Sequence, residues 1–204
     1  MAVSKTVPPA SLRAALAAGL TVLGENRVQE AAAKVPFVPG ASWHLVGHLQ
    51  GNKAAAALGL FEVIESVDSV ELARRLDRLL AEVADPLGRG LPRRGVLLQV
   101  NVDVDAAKTG FTPDGLMATL SELAALPRLR LDGLMTVGRL GVSAEAARPT
   151  FVALRRLAAR LREGEPRLGP ELSMGMSDDF ALAVEEGATI VRIGRALFGE
   201  RPAA

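Results

Sequence analysis

The feature that most constrains this chain is an alternation, repeated along nearly its whole length, of short apolar runs with longer Ala/Leu/Arg stretches. The short runs have the length and β-branched character of buried strands, and the longer ones place apolar residues three and four apart, the period of a helix face. Strands are predicted at 2–4, 21–23, 43–46, 63–66, 96–101, 131–135, 171–173 and 189–193. Helices are predicted at 9–18, 27–34, 52–58, 69–83, 113–124, 144–162 and 178–186. Leu72, Leu76, Leu79, Leu80 and Val83 form one stripe, and Phe151, Leu154, Leu157, Ala158 and Leu161 form another, each backed by an arginine-rich outer face. Pro9 and Pro113 suit first turns, while Gly19 and Gly187 suit helix C-caps. Eight strands separated by helices favour a (β/α)₈ TIM barrel, an α/β fold, over an open doubly wound sheet.

Composition narrows the function classes. With 204 residues, 49% of them hydrophobic, the chain reads as a single barrel domain over 1–204. The 24 basic and 23 acidic residues include no basic block, which argues against nucleic acid as a partner. The longest uncharged run, 35–52, is broken by Pro36, Pro39, Gly40, Gly47 and Gly51, so no apolar spanning helix forms there and no membrane partner is expected. Residues 1–5 lack a secretory pattern, and the expected compartment is the cytoplasm. The absence of cysteine excludes disulfides, thiolate nucleophiles and Cys-ligated metal. Residues 85–94, with Pro86, Gly88, Gly90 and Pro92, read as a surface loop. The first strand begins at residue 2, so the chain reads as clipped at its start, with nothing ahead of that strand to cover the barrel bottom.

Four lysines, Lys5, Lys34, Lys53 and Lys108, stand against twenty arginines, which leaves few candidates for amine chemistry. Lys34 at a helix end, Lys53 at a helix start and Lys108 in a loop read as solvated. Lys5 falls at the C-terminal end of a buried strand, the face on which barrel enzymes place their chemistry. Partial desolvation there favours the neutral amine that attacks an aldehyde, whereas a side chain that snorkels to water would carry no chemistry.

A second constellation is Ser173-Met174-Gly175-Met176-Ser177-Asp178-Asp179 after the seventh strand, followed by Val191-Arg192-Ile193-Gly194-Arg195 after the eighth. Loops in these positions bind phosphate in TIM barrels. Glycines admit close backbone approach, and Ser173 and Ser177 add hydroxyl donors. Ser177 also fits an ordinary helix N-cap followed by two acidic residues, which requires no ligand. Arg192 interrupts an apolar strand, and a buried cation needs a partner.

A third group comprises Gly24-Glu25-Asn26-Arg27-Val28-Gln29-Glu30 and the run from Trp43 through His44, Gly47, His48 and Gln50 to Lys53. Both place polar side chains on the Lys5 face, although Glu25 and Glu30 also fit solvated positions and His48 a helix cap. His44 and His48 lie on strand and loop rather than one helix face, so a zinc site is not expected, nor any other metal. No nucleophile-elbow, P-loop or dinucleotide-binding pattern appears. Met135, Met174 and Met176 read as rim packing.

Together with Ala2-Val3-Ser4-Lys5-Thr6, these motifs resemble, in order and almost end to end, the pyridoxal phosphate homeostasis protein family, single-domain relatives of the alanine racemase barrel. The resemblance implies pyridoxal 5′-phosphate (PLP) held as an aldimine of Lys5. It implies phosphate contacts from Ser173, Met174, Ser177, Gly194 and Arg195, the last two through backbone N–H groups. It places Arg192 at the pyridine nitrogen and Asn26 and His44 along the ring pocket. An arginine there disfavours ring protonation and so weakens the cofactor as an electron sink. The chain has no tyrosine to act as the second base of a racemase. The implied role is therefore binding and distribution of PLP in vitamin B6 homeostasis by a monomer, with PLP-dependent apoenzymes as acceptors. A minimal amino-acid racemase using Lys5 and His44 is the enzyme alternative, and a barrel acting on a sugar phosphate is a third. Two departures from the family stand out. Its members carry about one more helix ahead of the first strand, and Arg195 stands where threonine or serine is common.

Overall fold

The computed structural model describes residues 1–83, 93–138 and 143–199. Eight strands run parallel in sequence order: β1 Ala2–Val3, β2 Val22–Glu25, β3 Ser42–Leu45, β4 Val63–Val67, β5 Arg94–Gln99, β6 Leu129–Met135, β7 Glu171–Met176 and β8 Ile190–Arg192. The ends of the sheet meet. Ala2 bridges Ile193 in parallel, Val3 N–H donates to Ile193 O at 2.8 Å, and Ile193 N–H donates to Met1 O at 3.1 Å. This is the (β/α)₈ barrel the alternation predicts, and each predicted strand overlaps an observed one.

The outer helices are α1 Pro9–Ala17, α2 Val28–Lys34, α3 Ala54–Leu60, α4 Val70–Glu82, α5 Pro113–Ala124, α6 Ala144–Gly164, α7 Phe180–Glu185 and a short α8 Arg195–Phe198. Local chemistry sets their starts. Ser69, Thr112 and Ser143 accept hydrogen bonds from Leu72, Gly115 and Ala146 N–H, satisfying donors that the first turn leaves without partners. Gly19 and Gly187 follow α1 and α7 with φ near +90°, as C-cap positions require. The helix expected from residue 52 begins at Ala54, because Gly51–Lys53 forms a 3₁₀ turn first.

Two other expectations shift. Ser177 is not an N-cap, since α7 starts at Phe180 and its flanking residue is Asp179. Val83 lies beyond the end of α4 and is exposed rather than on the buried stripe. The loop predicted at 85–94 lies outside the described residues except for its end, where Arg94 opens β5 and donates to the carbonyls of Phe61 and Leu58.

The barrel wall packs against the inward helix faces. Leu72, Leu76 and Leu80 of α4 and Phe151, Leu154, Ala158 and Leu161 of α6 are buried. Phe151 has no exposed surface. Truncation to Ala at that position removes the largest side chain on the α6 face and leaves a cavity, so urea unfolding should show a loss of about 3–5 kcal/mol. A loss below about 1 kcal/mol would mean that the site collapses freely and α6 is not part of the load-carrying core.

Candidate functional site

At the C-terminal end of β1 the chain turns sharply. Ser4 is fully buried, Lys5 is half-buried, and Thr6 takes a left-handed conformation with φ 58° while its hydroxyl donates to Lys5 O at 2.6 Å. The turn is closed by Val7 N–H donating to Ser4 O at 2.9 Å. A non-glycine residue at positive φ is uncommon and persists only where its surroundings hold it.

The hold comes from behind. Glu25, at the end of β2, has no exposed surface and accepts from Ser4 Oγ at 2.8 Å, Asn26 N–H at 2.8 Å and Lys34 Nζ at 2.7 Å. Lys34 Nζ also donates to Ser4 O at 2.8 Å. One buried ion pair thus pins the residue before Lys5 and the backbone of Asn26. This corrects the expectation that Lys34 and Glu25 are solvated: the α2 register turns Lys34 inward, where only a carboxylate can compensate it. Lys108 is corrected as well, its Nζ lying 3.3 Å from Asp103 Oδ2 and from the carbonyls of Val137 and Gly138. Glu30 contributes a more distant contact to Lys34 at 3.6 Å.

Around Lys5 a cavity of about 590 Å³ opens at the C-terminal ends of the strands. Asn26, Ser177, Arg192, Gly194 and Arg195 line it together with Lys5, so six of the nine predicted residues meet there. Ser177 Oγ accepts from Ala196 N–H at 3.5 Å, which joins the loop after β7 to the first turn of α8. Asp178 pairs with the Arg195 guanidinium, and Asp179 Oδ1 accepts from Met176 N–H at 2.6 Å. Gly175, at φ 89°, is where β7 passes under α7; a Cβ there would sit 2.5 Å from Ala183 Cβ. Gly47 is equally constrained, since a Cβ would lie 2.3 Å from Asn26 O. Asn26 Oδ1 is buried with no hydrogen-bond partner, an arrangement that costs about 1–3 kcal/mol until a donor reaches it.

The other three predicted residues lie elsewhere. Ser173 is buried behind the cavity, where it accepts from Arg192 Nη1 at 2.8 Å. Met174 belongs to the hydrophobic core with no exposed surface, and Met176, beyond the register shift that follows Ser173, lines the cavity instead. His44 does not line it either. Its register partner on β4 is Val63, the first residue of that strand, which puts it low in the barrel. There Nδ1 contacts Glu65 Oε1 at 2.7 Å, and the ring borders a separate cavity of about 730 Å³ walled by Val22, Val63, Leu97 and Ile190. That cavity is the larger, but it lies at the N-terminal strand ends and lacks the lysine, whereas the smaller one lies at the face on which TIM barrels place their chemistry.

Arg192 has the partners a buried cation requires. Nη2 donates to Thr136 O at 2.7 Å, and Nη1 to Ser173. Burial pulls its pKa below the ordinary arginine value, opposed by the charges of Glu65 and then Asp179. His48, expected as a helix cap, instead contacts Asp68 Oδ2 at 2.8 Å in an exposed position. Among the described residues no cluster of three or more His, Asp or Glu is placed to hold a metal ion, and no helix is long and apolar enough to cross a membrane.

The alanine racemase N-terminal domain model matches residues 1–202. The pyridoxal phosphate homeostasis protein of Pseudomonas aeruginosa is 42% identical over 203 residues, covering 98% of this chain and 84% of that protein. The chain belongs to the pyridoxal phosphate homeostasis protein family. PipY of Synechococcus elongatus, solved with PLP bound, matches this family member at 44% identity and TM-score 0.86, over 98% of this chain and 91% of its own. Alanine racemase of Clostridium difficile shares the fold at 16% identity and TM-score 0.73, with 99% of this chain and 55% of the racemase aligned.

Within this family member the buried pair is testable alone. Lys34→Met leaves the Glu25 carboxylate without its cation and should cost about 3–5 kcal/mol in urea unfolding, most of it recovered on adding Glu25→Leu. A single variant as stable as the parent would show that Lys34 does not hold the turn.

Proposed function

We propose that this chain binds pyridoxal 5′-phosphate in the cavity at the C-terminal strand ends, with Lys5 as its covalent anchor, and that it serves intracellular vitamin B6 homeostasis. The observation that carries this reading is the convergence of a half-buried lysine, a buried arginine and a serine beside the first turn of α8 on one cavity. A volume of about 590 Å³ suits a small cofactor. Likeness to PipY, solved with PLP bound, supports the choice of ligand.

When bound, the cofactor supplies an aldehyde carbon that condenses with an amine. The residues then divide the work. Ser177 and the backbone N–H groups of Gly194 and Arg195 hold the phosphate, and Arg195 in this chain adds a guanidinium tied to Asp178. Arg192, fixed by Ser173 and Thr136, faces the ring nitrogen as a donor and keeps it unprotonated. The orphaned Oδ1 of Asn26 accepts from a donor on the bound molecule or its water. Ser173 acts behind Arg192, and the Met174 side chain packs in the hydrophobic core.

Such a site favours retention and hand-over of PLP to apoenzymes in the cytoplasm, by a monomer without nucleic acid or membrane contact. The racemase alternative needs a second acid or base on the opposite ring face, and its candidate, His44, borders the other cavity. A sugar-phosphate reaction leaves the Lys5 placement without a role.

Borohydride reduction of the PLP-loaded protein followed by intact mass and peptide mapping tests ligand and anchor together. One pyridoxyl group on Lys5, falling at least about tenfold in Lys5→Ala, is the expected result. Equal labelling of that variant on another lysine would reject the anchor, and an unlabelled parent would reject the ligand.

A further inference from the structure

Glu65 breaks the apolar run of β4 just as Arg192 breaks that of β8, and a hydrogen-bonded chain joins them inside the barrel. Glu65 has no exposed surface. Ser173 Oγ donates to Glu65 Oε2 at 2.5 Å and accepts from Arg192 Nη1 at 2.8 Å. The other carboxylate oxygen, Oε1, meets His44 Nδ1 at 2.7 Å. This chain has a fixed polarity. An ionised carboxylate only accepts and a guanidinium only donates, so the single hydroxyl proton of Ser173 must point to Glu65 and leave its lone pair for Arg192.

Buried charges act on one another over more than contact distance, because little water screens them. The groups facing the Arg192 guanidinium are Glu65 from β4 and Asp179 ahead of α7, both favouring the cation. Lys5, Asp178 and Arg195 line the same cavity. On its far side Glu65 meets His44 and the field of the Met1 ammonium.

We propose that Glu65 is a positioning residue of the cavity: through Ser173 it holds the Arg192 guanidinium in place, and it links that group to His44 at the opposite mouth of the barrel. The hydrogen-bond relay stands on the geometry alone; its effect on a ligand rests on the PLP reading above.

The test uses Glu65→Gln and Ser173→Ala in the full chain. The first readout needs no cofactor: hydrogen exchange of the Arg192 Nε–H, followed by nitrogen-resolved NMR, should quicken by about tenfold in both variants as the guanidinium loses its fixed partner. The second is a pH titration of the visible absorbance of PLP-loaded protein. Loss of an anion disfavours the protonated chromophore, so Glu65→Gln should lower its midpoint by about half a pH unit or more, and Ser173→Ala, which keeps the charge, by less. A carboxylate that merely fills the barrel would change melting temperature and leave that midpoint in place, which would overturn the proposal. Unchanged Arg192 exchange in both variants would overturn it too. Should Glu65→Gln fail to fold, Ser173→Ala decides by exchange. A parent that takes up no PLP defeats the ligand reading, while the exchange readout still decides the role of Glu65.

Discussion

The site depends on closure of the barrel between its first and last strands. Lys5 and Arg192 are separated by nearly the whole chain, yet the Ala2–Ile193 bridge and its two flanking hydrogen bonds make their strands neighbours. Parallel pairing needs a crossover between consecutive strands, and the helices supply it, so every strand presents its C-terminal end to the same face. Closure therefore does more than remove two sheet edges. It brings an amine, a guanidinium and the turns after β7 and β8 around one small volume.

Inside that frame Lys5 and Arg192, which line one cavity, are backed by buried charged and polar groups. Glu25 and Lys34 clamp the turn that carries Lys5, and Glu65 with Ser173 backs Arg192. Such pairs add little net stability, because desolvation offsets much of their attraction, but they resist any rearrangement that would leave one charge alone. Rigidity of this kind suits the proposed site, in which a lysine and an arginine would meet the same ligand at fixed separation. The larger apolar cavity at the other end of the barrel shares none of this support except His44.

Most of the fold was legible because periodicity reports burial directly. Helix α4 shows its buried stripe in Leu72, Leu76 and Leu80, and Ser69 announces its start. Placement of Lys5 was legible for the same reason, since a lysine closing an apolar strand lies at its end. Partnerships across the barrel were not. Lys34 and Glu25 lie nine positions apart on different elements, and only the α2 register reveals that both point inward. Glu65 carried a usable signal, a carboxylate within Val63-Ile64-Glu65-Ser66-Val67, equivalent to that of Arg192 within its own strand. Two opposite charges interrupting two barrel strands could have been read as partners. The place of His44 at the other cavity was not legible, because its level along β3 is set by strand register that local sequence does not encode.

The proposed role requires one small molecule to be gripped between Lys5 and the turns after β7 and β8. A crystal structure of the protein soaked with pyridoxal 5′-phosphate measures this most directly. Continuous density from Lys5 Nζ to the ligand, with its phosphate against Ser177, Gly194 and Arg195 and its ring nitrogen at Arg192, is the arrangement predicted. Density for the ligand in the His44 cavity, or in the upper cavity with Lys5 turned to solvent, would contradict it.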